Sequence, residues 1–542
     1  MWDKLKQALG MAGAPQPLHA STALVRVPVI RPHSDVADQR PEASMGWLDR
    51  HPDSARPVVH ASPYVRSIDP EIRIAHAPVA RAARHMLTQS GFLQYGVEIN
   101  CAWTVGAHGL EPSITPDAHA LGWSDPFAKT WARALEARFA EWADDARACD
   151  AQGRFKFGAL QSAAVRSFLA TGDVIAVIDY GEKANSTWRT AVNLIDPTRL
   201  WTPPIWQDRR SVVRDGVEFD TRGRALAYHF RPLPGHRDTI RVPVFSSGKH
   251  LVSHTFDAEP GAIRGISPLG AAIGAIMQSM NTHDAAVLAA HIAATIVGVV
   301  TSDLPSDAVA RSIGGEDGNP LAAMMQSRVS WHEALKKADA HLRLGHGGRI
   351  VHLSTGERLD MHAGKAAFDQ YEAIIRLGLA EAARALGLAP ETLHGLKDKA
   401  SYSALKVAAS EARAIMERRR GVLIAPMVEW ALWNVAEELI DKGELPWPAR
   451  VAPKDKLADF RQHRRHIKVE LRGPSIEDPD VLKATKAAIE RIKWGLSSHT
   501  DEIAALGRDT ETTFRNRSAD AALLKELGLD LPWPNAPTRN SQ

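Results

Sequence analysis

The sequence predicts an α+β chain of several domains, and three observations carry that reading. Apolar side chains recur at helical spacing over 126–149, where Phe127, Trp131, Leu135, Phe139 and Trp142 share roughly one face. The runs DVIAVIDY at 173–180 and AVNLID at 191–196 are rich in Val and Ile and read as strands. Two long helical regions, 267–297 and 364–387, flank an insert of about 65 residues made of polar turns and short strands.

Residues 1–60 are rich in Pro, His and Ser and read as mostly irregular. The opening MWDKLKQALGMAGAP has no continuous apolar core before a small-residue cleavage site, so no signal peptide is expected. Segment 73–90 is rich in Ala and Arg and predicts a helix, whereas 91–111 alternates like a strand. Gly153 breaks the helix at 126–149, and Phe157–Thr171 predicts another. Asp215-Gly216 and Thr221-Arg222-Gly223-Arg224 are turn signals beside strands such as ALAYHF at 225–230. Ser267 followed by Pro268 reads as an N-cap and first helical turn.

The Ala-rich helix 267–297 would form a rod of roughly 45 Å. Gly298 and Val299-Val300 leave it, and RIVHL at 349–353 reads as a strand in the insert. Gly387 and Pro390 stop the helix at 364–387, and LAPETLHGLKDKAS at 388–401 reads as a loop. A long helix at 402–442 contains Pro426, which predicts a kink or break. Residues 446–480 show little regular pattern. Two last helices, near 480–492 and 497–506, precede a Pro-rich tail. No repeat of 20–50 residues appears, which argues against a solenoid.

The chain has 542 residues, 44% hydrophobic and 24% charged, enough for several buried cores. A net charge of +3 excludes a uniformly basic nucleic-acid binder but leaves room for local basic patches. Two cysteines, Cys101 and Cys149, argue against a disulfide framework and read as packing thiols. The apolar run 285–300 is shorter than a bilayer span and contains His291 and Thr295, so it predicts a helix buried against protein.

Catalytic signatures are absent from the sequence. Gly248-Lys249 is followed by His250 and Gly364-Lys365 by Ala366, so neither forms a phosphate-cradling loop. There is no H-E-x-x-H and no C-x-x-C. Gly265-Ile266-Ser267-Pro268-Leu269 lacks the final Gly of a nucleophile elbow. His341, His346 and His352 fall in one loop-rich stretch, but their spacing matches no zinc-ligand pattern and they read as structural or solvent-exposed. Asp144-Asp145 reads as a solvated face. No enzyme activity, metal or cofactor is expected. A metal-dependent hydrolase or nuclease, and a structural adaptor without a channel, remain as alternatives.

Basic residues are the stronger candidates. Arg413 and Arg418-Arg419-Arg420 lie on the long helix, Arg461, Arg464, Arg465 and Lys468 in RQHRRHIK, and His394, Lys397, Asp398 and Lys399 in the loop between two helices. Such groups attract a phosphate backbone without reading its sequence. They equally suit a solvated helix face or pairing with acids on a neighbouring subunit.

Several strings, in order, carry a resemblance. They are Val105-Gly106-Ala107-His108-Gly109-Leu110, Cys149-Asp150-Ala151-Gln152-Gly153-Arg154, Gly172-Asp173-Val174, Ile195-Asp196-Pro197-Thr198-Arg199-Leu200, and the stretch from His254 through Arg264-Gly265 and Ser267-Pro268 to Leu269. Tyr402-Ser403 with Glu411 and Arg420 follows. Together they resemble the lambda-type portal proteins of tailed bacteriophages over roughly 70–515. Ser401, Ala404 and Lys406 replace the family's usual Asn, Ser and Arg, and Arg472-Gly473-Pro474 stands where Trp-x-Gly-Pro is common.

The resemblance implies a portal-type subunit of a cyclic ring, commonly of twelve copies, at one capsid vertex of the virion, through which double-stranded DNA is packaged and ejected. It implies an irregular arm at 1–69, an α/β wing at 70–266, stem helices at 267–297 and 363–387, and a clip at 298–362. A tunnel loop at 388–401 with His394, Lys397, Asp398 and Lys399 would lie nearest the DNA. A long wing helix at 402–450 and a crown with tail at 451–542 would follow. Implied partners are further copies of the chain, the terminase large subunit, the major capsid protein and the head–tail connector, with no membrane and assembly in the host cytoplasm.

Overall fold

A computed structural model of the chain describes residues 68–182, 186–206, 212–232, 239–301, 342–344, 348–353, 365–395, 402–448, 455–474 and 481–529. The chain divides into two compact units. Gly274–Ala382 is one, and the rest of the chain is the other.

The larger unit begins with helices α1 (Ile68–Gln89) and α2 (Gly91–Thr104). The strand expected at 91–111 is therefore a helix for most of its length. Ser90 caps it through Leu93 N, and Leu93, Gly96, Val97, Asn100, Cys101 and Thr104 are buried at helical spacing. Packing on that face outweighs the strand propensity of its β-branched and aromatic residues. Strand β1 (Glu111–Pro116) follows, then helices α3 (Asp125–Asp144) and α4 (Phe157–Thr171), both close to their expected places. Trp131, Leu135, Phe139 and Trp142 are buried as the α3 periodicity requires.

Strands β2 (Asp173–Tyr180) and β3 (Thr190–Ile195) match the two Val/Ile runs. The small strands β4 (Val213–Arg214), β5 (Val217–Phe219), β6 (Ala225–Phe230) and β7 (Ile240–Pro243) form an antiparallel meander in that order. Asp215 and Gly216 join β4 to β5 with φ of 48° and 81°, the positive values that a two-residue hairpin turn requires. After β8 (Phe245–Ser246) and β9 (Lys249–His250), β10 (Val252–Phe256) pairs antiparallel with β2, placing His254 opposite Ile175 and Phe256 opposite Asp173. The resulting sheet, β10-β2-β3, has a central strand buried along nearly its whole length.

The smaller unit holds helix α5 (Ile273–Thr295), whose first residue lies just outside it, strands β11 (Ile296–Thr301), β12 (Leu342–Leu344) and β13 (Gly348–Leu353), and most of helix α6 (Lys365–Leu386). β11 runs parallel to β13, and β12 antiparallel to it. The two helices approach closely: a Cβ on Gly378 would stand 2.5 Å from Ser279 Cβ. The expected strand at 349–353 is present. His341 and His346 lie outside the described residues.

Chain 388–401, expected as a loop, contains a short helix at Pro390–His394. Helix α7 (Tyr402–Arg419) runs into a π-helical turn at Arg420–Ile424, then α8 (Ala425–Lys442). The expected break thus falls just before Pro426, whose ring cannot fit against an unshifted carbonyl four residues back. Thr255 Oγ1 donates to the carbonyl of Leu423, 2.8 Å away, in this turn. Glu438 of α8 is fully buried and accepts from the backbone N–H groups of Arg189 and Thr190, both at 2.7 Å, which ties α8 to β3.

The region 446–480 is more regular than expected. Helix α9 (Lys456–His463) packs Phe460 against Trp447, and β14 (Ile467–Arg472) pairs antiparallel with β1 across some 350 residues of chain. Three helices end the described chain, α10 (Val481–Lys493), α11 (His499–Ala505) and α12 (Thr510–Glu526). The third lies where a tail was expected.

Candidate functional site

The strings singled out in the sequence converge on one buried side chain. Gly172 ends α4 in the left-handed region at φ 90° and hands the chain to Asp173, the first residue of β2. Asp173 has no exposed surface. Its Oδ2 accepts from Arg264 Nε at 2.7 Å, and its Oδ1 accepts from Gly265 N at 2.7 Å and lies 3.2 Å from His254 Nε2. Arg264 Nη2 donates to the carbonyl of Pro197 at 3.0 Å and reaches His76 Nε2 at 2.9 Å. His76 Nε2 also lies 3.1 Å from Asp173 Oδ2, so it sits between a guanidinium that can only donate and a carboxylate that can only accept. His254 Nδ1 lies 3.3 Å from the Tyr228 hydroxyl, which completes a chain from α1 through Asp173 to β6.

Burial alone would raise the carboxyl of Asp173. The Arg264 guanidinium and the hydrogen bond from His254 outweigh it and hold Asp173 well below the usual carboxylate range. Burial pushes the Tyr228 hydroxyl up, with the Asp173 charge acting in the same direction. The backbone beneath is equally tight. A Cβ on Gly172 would stand 2.2 Å from Ile266 C, and one on Gly265 would stand 2.1 Å from Gly172 O. Ser267 Oγ donates to Leu169 O at 2.6 Å and accepts from Leu269 N at 3.2 Å, the N-cap expected from Ser267-Pro268. A carboxylate held ionised by a fixed guanidinium is a poor proton acceptor. The arrangement therefore acts as a lock joining α1, α4, β2, β10 and the chain that enters α5.

The arginine triplet performs a related task. Arg418 forms a forked ion pair with Asp257. Arg419 is 8% exposed and donates to Asn100 Oδ1 and to the carbonyls of Leu386 and Ala385, capping the C-terminal end of α6. Burial depresses its guanidinium to about 10. Arg420 donates to the carbonyls of Thr104 at 2.9 Å and of Trp103 and Pro474 at 3.0 Å, capping α2. All three therefore hold partners inside the chain. Arg413 is half-exposed and pairs with Glu417 one turn on.

Of the RQHRRHIK run, Arg461 grips Glu437 with two hydrogen bonds, and Arg465 and Lys468 are exposed. His394 ends a short helix, and Lys397, Asp398 and Lys399 lie outside the described residues. Cys101 and Cys149 are buried free thiols, and burial pushes Cys101 up to about 11. Asp145 caps the short helix Ala146–Cys149, and Asp144 pairs with Lys156.

Sequence reasoning quoted Asp173, His254 and Arg264 without seeing that they meet, and it missed His76. The available signal was an acid opening an otherwise apolar buried strand, TGDVIAV, which demands a buried partner. Among the described residues no group of three or more His, Cys, Asp or Glu side chains is placed to hold a metal ion. No described helix is long and apolar enough to cross a membrane.

Comparison with known proteins bears on the same strings. The chain is 24% identical to the portal protein of Escherichia phage N15 over 472 residues, 84% of this chain and 86% of that one. It is 23% identical to portal protein B of Escherichia phage lambda over 472 residues, 84% and 85% of the two chains. Among solved structures, the neck of a native gene transfer agent particle, computed with C12 symmetry, matches at 14% identity and a TM-score of 0.32, covering 76% of this chain and 98% of that one. The neck of the empty particle, computed with C6 symmetry, matches at 15% identity and a TM-score of 0.32, covering 72% and 92%. The model of the lambda family of phage portal proteins matches residues 56–420, a stretch that contains every side chain of the Asp173 lock and the arginine triplet. The chain belongs to the lambda family of phage portal proteins.

Proposed function

We propose that this chain is the subunit of a portal ring in a tailed phage or prophage. The ring sits at one capsid vertex, passes double-stranded DNA inward during packaging and outward during ejection, and docks the terminase motor and then the head–tail connector. The observation that carries this reading is the family match over 56–420. The family is a structural one, and the chemistry around Asp173 suits a lock. A closed ring of identical subunits uses one head-to-tail contact repeated around an axis.

In this reading α5 and α6 are the stem helices, and the sheet between them belongs to the clip. The loop 388–401, carrying His394, Lys397, Asp398 and Lys399, faces the DNA. Arg413 stays a basic candidate on α7, half-exposed and paired with Glu417 one turn on, whereas Arg418 is engaged by Asp257 and Arg419 and Arg420 by backbone carbonyls.

Electron microscopy of the purified protein, with light-scattering mass on the same sample, tests the reading. The expected result is rings with a central hole and a mass of about twelve times the 59.1 kDa chain. A discrete monomer or dimer at every salt and protein concentration would overturn it. Lys397→Glu with Lys399→Glu should then disturb DNA packaging or retention while leaving rings intact. Loss of the rings themselves would remove that loop from the channel.

A further inference from the structure

The three C-terminal helices are tied firmly to one another. Arg491 of α10 forks onto Glu502 of α11 at 2.8 and 2.7 Å. Ser498 and Asp501 close a capping box at the start of α11, and the His499 ring lies 6.4 Å from that of Phe514 on α12. Their hold on the rest of the larger unit is of another kind. No described residue of α10, α11 or α12 is buried, so no packed apolar core fixes them there. The ties that reach across are charged. Asp509 Oδ2 accepts from Thr512 N at 2.7 Å as the N-cap of α12, while its Oδ1 accepts from Arg472 at the end of β14. Glu511 accepts from Arg133 of α3 and, at 3.0 Å, from Arg515 on its own helix. Glu136 of α3 accepts from Ile114 N of β1 at 2.6 Å and lies within electrostatic reach of Arg472, Asp509 and Arg133. Arg133, Glu136 and Arg472 on one side of the joint thus face Asp509, Glu511 and Arg515 on the other.

The joint is marginal by construction. The side chains of Arg133 and Glu511 are 51% and 44% exposed, so water and salt compete for both. Arg472 is better shielded, at 17%, but closing on Asp509 leaves its Nε buried without a protein partner. Release would return that donor to water. It would not strand the guanidinium, because Glu136 stays beside it on α3. Firm ties within the three helices, and a shielded but weak joint at one end of α12, describe a strap that opens as a unit.

We propose that α10–α12 form an arm clasped to α3 and β14 by the pairs Arg133–Glu511 and Arg472–Asp509, and that screening of these charges releases it as one folded piece. An arm held by charge loosens as salt rises, whereas one held by buried apolar surface does not. The test is energy transfer between dyes at Lys129→Cys on α3 and Ser518→Cys on α12 of the full chain, both exposed positions. Labelled chain is diluted into unlabelled chain, so that the signal reports one subunit whether or not rings form. Cys101 and Cys149 are buried, and wild-type chain carried through the same labelling supplies the blank. Raising sodium chloride from about 0.1 M to about 1 M should raise the ratio of released to docked arm by about tenfold, with helix content by circular dichroism unchanged. At the lower salt, Arg472→Met should raise that ratio about tenfold and Arg133→Met about threefold. Glu511→Gln added to Arg133→Met should release the arm no further than Arg133→Met alone, because the two remove one interaction. Energy transfer that holds at high salt, with Arg472→Met and Arg133→Met both docked as in the wild type, would overturn the clasp.

Discussion

Asp173 and Trp494 invert the usual rule of burial. Asp173, a carboxylate, has no exposed surface, while Trp494 is 72% exposed and its neighbour Leu496 78%. The difference lies in where partners come from. Every group that Asp173 needs is supplied by the same chain, from α1, β10 and the segment before Ser267, so its charge is neutralised as the larger unit folds. In α10, α11 and α12 no described residue is buried, and Leu482, Trp494, Leu496 and Leu527 all show more than half their surface. The comparison teaches that the stability of the subunit resides around the Asp173 sheet and that the C-terminal helices contribute little to it.

The sharpest way to break that comparison is to remove Asp173. Asp173→Ala leaves Arg264 buried and unpaired, and should destabilise the subunit by about 3–5 kcal/mol. Urea unfolding followed by tryptophan fluorescence reads it. Gly265→Ala should fall in the same class, because its Cβ would collide with the Gly172 carbonyl backbone, which has nowhere to move. A loss below about 1 kcal/mol for both would mean that the cluster is dispensable decoration.

Arg419→Met sharpens the comparison at the next level. The methionine keeps much of the apolar stem but leaves Asn100 and the α6 carbonyls of Leu386 and Ala385 without their donor. Loss of charged hydrogen bonds at a buried helix end should cost roughly 2–3 kcal/mol. Arg413→Met, on the same helix but half-exposed, should cost less than about 0.5 kcal/mol. Equal effects would show that burial does not separate the two arginines.

How much of this was legible depends on distance along the chain. Helix α4, strand β2 and the Asp215-Gly216 turn are written in runs of a few residues, where periodicity and φ requirements act locally, and the sequence reading placed them. Helix α2 was misread because Val97, Ile99 and Trp103 favour strand locally, while the face that decides the matter packs against α4 and the chain at Leu386–Leu393. Strand β14 has too short an alternation to announce itself, and its partner β1 is some 350 residues away. The strings around Asp173 could be quoted one by one. Their convergence could not, because no local rule says which buried Arg meets which buried Asp. Likewise Arg418-Arg419-Arg420 looks like one basic cluster in sequence, yet helical geometry and burial send the three side chains to three different elements.

Acid titration tests the ionised core as a whole. The carboxyl of Asp173 lies below its unfolded value, and Glu218 falls to about 2 through hydrogen bonds from His229 and Arg241, the latter forked at 2.8 and 2.9 Å. A carboxylate with a lowered folded-state pKa stabilises the fold above its unfolded pKa, and that contribution is lost as pH falls through the folded value. Stability should therefore hold down to about pH 4.5 and fall between there and pH 2. Glu218→Gln should reduce that fall by roughly 1–2 kcal/mol, discounted for the half-exposed Arg241. An acid limb identical to that of the wild type would remove Glu218 from the linkage.

The smallest effect belongs to the other side of the comparison. Trp494, the residue after α10, donates through Nε1 to Glu490 of that helix and is largely exposed. Trp494→Ala should therefore leave the unfolding free energy of the monomer, read by urea titration, unchanged within about 0.5 kcal/mol. The same variant removes one of the largest apolar surfaces of the C-terminal helices, so binding of a dye that reports exposed apolar surface should fall. A clear destabilisation of the monomer would show that α10 is covered by its own chain after all. The exposed tryptophan would then belong with Asp173, satisfied within one subunit, and the contrast between the two regions would dissolve.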